Sequence, residues 1–486
     1  MLFEGLTRLL PQGEIEWALA QSADISDDGL IYTFHMRDAQ WTDGTPITAF
    51  DLEYSWKSAV APSFGAPNAI LFSPIENAVE VMQGRIGPEH LGVCAIDAKT
   101  FEVRLSHPAP YFLSLVSFCP FYPVPSGIDQ RDPMWGRHKG LDQICSGPYR
   151  LRSWISGNEI ICEKNPIYYD ASSVHLDAIA AFIIPDATSA MRLLENGSLD
   201  WIDSITTELS NEEINCIKNQ CSYDTRPIGG TYFCAFNLDI APFCNRNIRR
   251  AFAAVIERAS LVEHASVFEE HAAKRLIPPV LAHAKDFDLI EEPEWDISCS
   301  LLELGLKELG VKRIEDIAGW QNISLCYETG LQNRKIAQII QQNWKNAFGI
   351  EIPLVEMDYK TQLAAIEERK FSIVLDYWLA QFNDPVNILE RFQYRSCKKN
   401  YPGFEEQEYI YLLNQAKQTS DANEYMRLLE MAELQFIDHV PLTPLFHLNQ
   451  AILKSSRVVG AEPNPIGNPN YKTIQLREEQ HVASSA

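Results

Sequence analysis

Between Asn322 and Pro385 the period of the apolar residues switches repeatedly, and this run constrains the fold more than any other feature of the chain. A strand-like stretch from Asn322 to Tyr327 precedes a helical pattern carrying Ile336, Ile339, Ile340 and Trp344, which Gly349 stops. A second strand from Ile350 to Val355, a helix with Leu363 and Ile366, and a third strand from Phe371 to Trp378 follow. A β-α-β-α-β run folds as a parallel sheet covered by helices, and ligands of such sheets bind beyond the carboxyl ends of the strands. The segment from Trp378 to Pro385 would lie there. Leu379-Ala380-Gln381-Phe382-Asn383-Asp384-Pro385 brings an aromatic body, amides and a carboxylate to that edge. The same residues also fit a plain structural role, with Trp378 and Phe382 in the core and Asn383-Asp384-Pro385 turning the chain into a helix over Ile388 to Phe392.

The rest of the chain is mixed α and β. Ile31, Thr33, His35 and Arg37 alternate with Tyr32, Phe34 and Met36 as in a strand, and Thr48 with Asp51 has the form of a capping box before a helix carrying Leu52 and Trp56. Phe118 to Pro133 reads as a loop or crossover. Strand-like runs recur at Tyr149-Leu151, Glu159-Glu163 and Ile179-Ile184, and a helix is expected from Ala187 to Asn196. Gly229-Gly230 reads as punctuation before a strand from Thr231 to Leu238, and one helix is expected over Ile248 to Glu263.

At 486 residues the chain is long enough for two to four domains, by the usual 100 to 200 or so residues per domain. Hydrophobic residues at 46% and charged ones at 22% predict a folded chain rather than a disordered one. The formal charge of −24 speaks against nucleic-acid and anionic-membrane partners, whose affinity rests on clustered basic side chains. No stretch approaches the roughly 18 apolar residues of a bilayer-spanning helix, and Met1 to Leu10 lack the regions of a signal peptide. The 11 cysteines, Cys216 and Cys221 being the closest two, include no CxxC pair, so zinc is not expected. Buried thiols with a disulfide or two are the expected state.

Enzyme signatures are absent: no phosphate-cradling glycine loop, no nucleophile elbow and no paired-histidine spacing occur. His264 and His271 could share a helix face, where solvation outweighs metal binding as an expectation. Glu291-Glu292 and Glu405-Glu406 read as solvated surface rather than acid/base pairs.

The residues from Tyr32 to Ala49, YTFHMRDAQWTDGTPITA, closely resemble the signature region of the oligopeptide- and dipeptide-binding components of ABC importers. Ser146-Gly147-Pro148-Tyr149, Asn165-Pro166-Ile167-Tyr168-Tyr169-Asp170, Gly197-Ser198-Leu199-Asp200, Phe236-Asn237, Pro242-Phe243 with Arg249-Arg250-Ala251, the Trp378 loop and Pro441 to Phe446 continue the pattern in order. The resemblance implies an α/β, two-lobed periplasmic-binding-protein-like fold (type II, cluster C-like) with an additional domain and a ligand cleft between lobes. The expected division is 1-127 for the additional domain, 128-229 with 449-486 for the first lobe, and 230-448 for the second. It also implies a monomer outside the cytoplasm that hands peptides to permease subunits without catalysis, metal or cofactor. Backbone pairing of an extended peptide suits such a role, because it is indifferent to side-chain identity.

On that resemblance the expected ligand residues are Trp378, Gln381, Phe382, Asn383 and Asp384, with Phe233 and Tyr359, and with Phe446 and His447 adding a wall. Where oligopeptide binders carry the Asp that pairs with the peptide amino terminus, this chain has Gln381, and Asp384 is the expected substitute. Asn333, Ile366 and Leu375 stand where the family's carboxylate-binding cations would be. A disulfide of some family members maps onto Gly230 and Leu379 and is therefore not expected. The family's signal peptide and opening strand are expected upstream of Leu2-Phe3-Glu4-Gly5-Leu6. A murein-derived peptide is the alternative cargo, and a hydrolase or interaction protein reusing the fold is the alternative of another class.

Overall fold

The computed structural model describes residues 1–203, 209, 213–214, 221–281, 288–290 and 295–477. Glu291-Glu292, Cys216 and the end of the chain from residue 478 lie outside the described residues. The chain forms two compact units, Met1–Asp224 with Ala451–Ala486, and Thr225–Gln450.

The first unit opens with a two-stranded ribbon of β1 (Thr7–Leu9) and β2 (Ile15–Trp17), followed by β3 (Ala20–Ile25), β4 (Ile31–Met36), β5 (Val93–Asp97) and β6 (Thr100–Arg104) in the antiparallel order β3-β4-β6-β5. The expected alternation holds, since Tyr32, Phe34 and Met36 are buried. The helix Ala49–Val60 starts at the capping box, where the Thr48 N–H donates to Asp51 Oδ2 at 2.9 Å. Its Trp56 meets Phe101 and Phe121 edge-on at 5.0 and 5.2 Å and donates from Nε1 to the Phe121 carbonyl. The stretch expected as loop near Phe118 contains two short helical turns, Cys119–Phe121 and Ser126–Asp129.

A three-stranded antiparallel sheet, β7 (Tyr149–Ile155), β8 (Glu159–Lys164) and β9 (Ala178–Phe182), completes most of this unit. The helix Ala187–Glu195 follows. Motif residues knit it together. A Cβ on Gly147 would meet Met1 O at 2.5 Å and Leu2 C at 2.8 Å, so only glycine fits that crossing. Asn165, fully buried, donates to the Gly147 carbonyl at 2.9 Å, and the Tyr168 hydroxyl donates to Glu4 at 2.7 Å.

β10 (Trp201–Asp203) pairs with the far end of β16 (Leu442–Lys454), and β17 (Val458–Val459) with β18 (Gln475–Leu476) form a ribbon. The second unit is built on β11 (Ser222–Phe236), β12 (His271–Ala272), β13 (Leu325–Glu328), β14 (Leu354–Met357) and β15 (Ile373–Leu379). Sheet order runs β16-β11-β15-β13-β14, with β12 beside β16. β13 is parallel to both β14 and β15, as the alternating run requires, and Gly349 ends the helix Leu331–Phe348 with a φ of 69°. The core of this unit gathers Tyr232, Phe252, Ile336, Ile340, Trp344, Leu375 and Phe446.

Four expectations change. β11 runs straight through Gly229-Gly230 instead of stopping there, because a Cβ at Gly230 would meet Leu448 Cδ1 at 2.7 Å and Leu379 Cδ2 at 2.8 Å. Gly230 serves close packing, not a turn. The helix expected over Ile248 to Glu263 is two helices, Arg246–Ala254 and Arg258–Ala265. His271 lies on β12, so it shares no helix face with His264. The ten described cysteines are free thiols, without the disulfide that was expected.

Candidate functional site

The carboxyl ends of β13 and β15, both in the second unit, form the edge that the sheet topology marks out for ligands. β15 reads Ile-Val-Leu-Asp-Tyr-Trp-Leu, and its alternation sends Ile373 and Leu375 into the helix-covered core while Asp376 and Trp378 face the other side.

Trp378, opposite Thr231 on β11, is 4% exposed. Its ring lies 4.1 Å from Phe233, 4.8 Å from Phe392 and 5.7 Å from Tyr401 between centroids, with the Arg391 guanidinium carbon 5.5 Å from its own. Phe233 is fully buried beneath it, and Phe382 is 2% exposed. The Trp378 indole N–H is buried without an acceptor at hydrogen-bonding geometry. It stands near enough to the Tyr401 hydroxyl to offset in part the burial, and the Asp376 charge, that push that hydroxyl up to about 12.

The loop beyond β15 is stitched internally. The Gln381 N–H donates to Asn387 Oδ1 at 2.9 Å, and Arg391 donates to the Leu379 carbonyl at 3.0 Å. Burial among these groups pulls Arg391 down to about 10, still cationic at neutral pH. Asp384 is buried, and its Oδ1 accepts from the Val386 N–H and the Tyr425 hydroxyl, each at 2.9 Å. Burial pushes its carboxyl up to about 7 against those two bonds. Asp384 thus holds the turn into the helical segment Val386–Leu389, and Asn383 is buried beside it. Gln381 is half-buried.

The other expected residues divide between faces. Phe446 stacks on Tyr232 at 5.0 Å, on the face opposite Phe233 and Trp378. His447 faces Thr231, its Nδ1 3.0 Å from the Thr231 hydroxyl, which itself donates to the Leu276 carbonyl at 2.9 Å. Nδ1 must therefore carry the proton in that pair. Burial, then Arg275 and His271, hold His447 down to about 3, so it is neutral at physiological pH. Tyr359, the first residue of the helix Tyr359–Glu367, is 62% exposed.

The residues missed by sequence reasoning are Asp376, Glu328, Tyr377 and Arg391. The register Leu325↔Ile373 and Cys326↔Val374 carries forward to set Glu328 beside Asp376 at the strand ends. Burial, reinforced by the Glu328 charge and opposed by the Tyr377 N–H and Arg391, pushes Asp376 up to about 7. Its Oδ1 accepts from the Tyr377 N–H at 2.8 Å. Tyr377 is half-exposed next to it. The available signal was an Asp inside an otherwise apolar strand. The positions aligned with the family's carboxylate-binding cations hold none: Ile366 and Leu375 are buried, and Asn333 accepts from the Tyr232 hydroxyl at 2.7 Å. Among the described residues no group of three or more His, Cys, Asp or Glu side chains is placed to hold a metal ion. No helix among them is long and apolar enough to cross a membrane.

Residues 14–400 match the family model of the bacterial extracellular solute-binding proteins, family 5. The chain is 31% identical to the oligopeptide-binding protein OppA of Bacillus subtilis, over 94% of this chain and 84% of that protein. It is 32% identical to the dipeptide-binding protein DppE of the same organism, over 97% and 86%. Among solved structures, that of Listeria monocytogenes OppA bound to peptide superposes with a TM-score of 0.80 at 27% identity, over 99% of this chain and 94% of that one. Gly230 and Leu379 are register partners on β11 and β15. The fold is therefore the two-lobed, periplasmic-binding-protein-like one with an additional domain, and the chain belongs to the bacterial extracellular solute-binding proteins of family 5.

Proposed function

We propose that this chain is an extracytoplasmic solute-binding protein that captures peptides and delivers them to the permease subunits of an ABC transporter. The observation that carries this reading is the packed pair Trp378 and Phe233, with Phe233 opposite Asp376 at an anionic strand end, in a chain whose relatives bind oligopeptides and dipeptides. Asp376, with Glu328 beside it, supplies the charge for a ligand ammonium, while Gln381 and Tyr377 offer hydrogen bonds at the same edge. Asn383 and Asp384 shape the loop, and His447 with Thr231 and Phe446 with Tyr232 buttress the two faces of β11. Tyr359 contributes an exposed ring at the start of its helix. Backbone pairing supplies affinity independent of ligand sequence. The role requires binding and release alone, with no bond made or broken.

Isothermal titration of the full chain with di- to pentapeptides tests the reading. Saturable binding that weakens when the peptide amine is acetylated is expected, and a chain that binds no peptide in that range overturns it. A second reading, a murein-derived peptide, is favoured by the missing cations at Asn333, Ile366 and Leu375 together with the carboxylates at Asp376 and Glu328. Such a ligand carries an additional amine, which suits the carboxylates at Asp376 and Glu328. Native mass spectrometry of the co-purified ligand separates the two.

A further inference from the structure

Cations in the loops after β15 mostly find carboxylates. Arg395 pairs with Asp239, Arg369 stands 3.6 Å from the same side chain, and Lys417 lies 2.8 Å from Glu390. Arg391 and Lys399 differ: among the described residues neither makes an ion pair. Arg391 is 8% exposed. Its Nε donates to the Asn387 carbonyl and its Nη2 to the Leu379 carbonyl, each at 3.0 Å, with Asn387 Oδ1 3.3 Å from Nη2. Nη1 takes part in none of these bonds and stays open to solvent. Neutral oxygens orient the guanidinium without cancelling its charge, so part of the cost of burying it is left standing.

The fold brings Lys399 to the same place. The Asn400 N–H donates to the Cys397 carbonyl at 3.0 Å, and the Asn400 side chain donates to the Tyr394 and Phe404 carbonyls at 3.0 and 2.7 Å, which fixes the turn that carries Lys399. Tyr401, two residues on, packs against Trp378 at 5.7 Å, and the same indole lies 5.5 Å from the Arg391 guanidinium carbon. One aromatic side chain thus ties both cations to the end of β15. Lys399 is half-buried and makes no hydrogen bond among the described residues. Burial first and the Arg391 charge second pull its ammonium below the ordinary lysine value, with Cys397 opposing. Two like charges drawn partly out of water repel each other and lose hydration, and an anion between them relieves both costs. The geometry points to Lys399 and the open Nη1 of Arg391 as an anion site that receives a carboxylate of the bound peptide. Arg391, fixed by its carbonyl bonds, sets the direction of approach, while the flexible stem of Lys399 lets its ammonium follow the ligand. Asp376 acts on Arg391 as well, which sets this anion site beside the position proposed for the ligand ammonium. The inference rests on the peptide-binding reading and adds to it where the ligand's negative charge goes.

Isothermal titration of the full chain tests the site with trialanine, trialanine amide and alanyl-glutamyl-alanine amide. Wild type is expected to bind trialanine roughly 10-fold or more tighter than Lys399→Gln does, the loss of one charge-assisted bond. Lys399→Arg is expected to recover to within about threefold of wild type, since it restores the charge. Trialanine amide, which has no carboxylate, is expected to bind wild type and Lys399→Gln within about twofold of each other. Wild type alone supplies a readout that needs no variant, because it must prefer trialanine to trialanine amide unless an acidic side chain is the group received. Tight binding of alanyl-glutamyl-alanine amide that Lys399→Gln weakens assigns the site to an acidic side chain. Weak binding of that amide beside tight binding of trialanine assigns it to the carboxyl terminus. Equal affinity of wild type and folded Lys399→Gln for both carboxylate-bearing peptides overturns the anion site and leaves the peptide reading standing, whereas a wild-type chain that binds no peptide overturns both.

Discussion

Replacing Asp376 by Asn tests the binding site where charge, rather than shape, decides the outcome. Asn is isosteric and keeps the 2.8 Å bond accepted from the Tyr377 N–H, so the strand end is preserved. What is lost is a carboxyl that burial and Glu328 raise from 3.8 to about 7, with Arg391 and the Tyr377 N–H opposing and with Tyr232, Tyr377 and Tyr401 as its titratable neighbours. A peptide ammonium brought against that carboxylate favours its ionised form, so below about pH 7 binding must release a proton and affinity rises with pH. Above that point affinity levels off until the peptide's own amine titrates near pH 8 or so. A charge-assisted hydrogen bond is worth about 1.5–3 kcal/mol, which predicts a roughly 10- to 100-fold loss of affinity in Asp376→Asn at neutral pH and above. Isothermal titration with trialanine between about pH 5.5 and 7.5, in two buffers of different ionisation enthalpy, reads both the affinity and the proton released. A variant that binds within about twofold of wild type, with the same pH profile, refutes the argument.

Other consequences can be measured directly. Glu433→Ala removes the carboxylate that pairs with the buried Arg275 guanidinium and strands the Leu276 and Ile277 N–H groups, each of which donates to Glu433 at 2.8 Å. Urea unfolding is expected to show a loss of about 3–5 kcal/mol, as for other broken buried pairs. Gly230→Ala drives a Cβ to 2.9 Å from the Trp378 carbonyl as well as into two leucines, and a loss of about 1–3 kcal/mol in the same assay is expected. Asp384→Asn removes a carboxyl held at about 7 in the fold and 3.8 unfolded. The folded chain keeps that proton to higher pH than the unfolded one, so wild-type stability falls as pH rises through this window. The variant is expected to gain melting temperature over wild type above pH 7 and to show little difference well below pH 4, as scanning fluorimetry at both extremes will show.

Much of the fold was legible because period and punctuation coincide there. The run from β13 to β15 switches between helical and strand periods with Gly349 as a stop, and the structure returns the parallel order that this demands. The family-like motifs were equally legible, but their physical work is structural. Gly147 permits a backbone crossing, Asn165 ties it, Asn237 donates to the Arg369 and Phe371 carbonyls at 2.9 and 2.8 Å, and Arg249 donates to the Phe243, His439 and Val440 carbonyls. Gly229-Gly230 misled because glycine marks turns and close approaches alike, and only the neighbours Leu379 and Leu448 distinguish the two. The break at Val255 to Glu257 was hidden because Phe252, Val255 and Ile256 are all buried on both sides of it, which keeps the helical pattern intact across the gap.

The strand edge was legible from the topology, but the partners of its charged groups were not. Asp384 lies six residues after Trp378 and Asp376 two before it, and nothing in one dimension says which carboxylate is already spoken for. The structure separates them by their partners. Asp384 accepts from Val386 and Tyr425 and sits in the turn it holds, whereas Asp376 accepts one bond from its neighbour's N–H and stands beside a second carboxylate, Glu328. Two carboxylates on adjacent strand ends raise each other's cost of ionisation, and a cation between them relieves it. On the proposed reading, the charge absent at Gln381 is supplied along β15 rather than along the loop, since a strand residue whose alternation fixes its direction keeps a charge at the edge more rigidly than a loop residue can. An Asp376→Asn, Glu328→Gln double-mutant cycle measures that division: a large interaction energy places both carboxylates on one ligand cation, and a Glu328→Gln variant that binds like wild type assigns Asp376 the role alone.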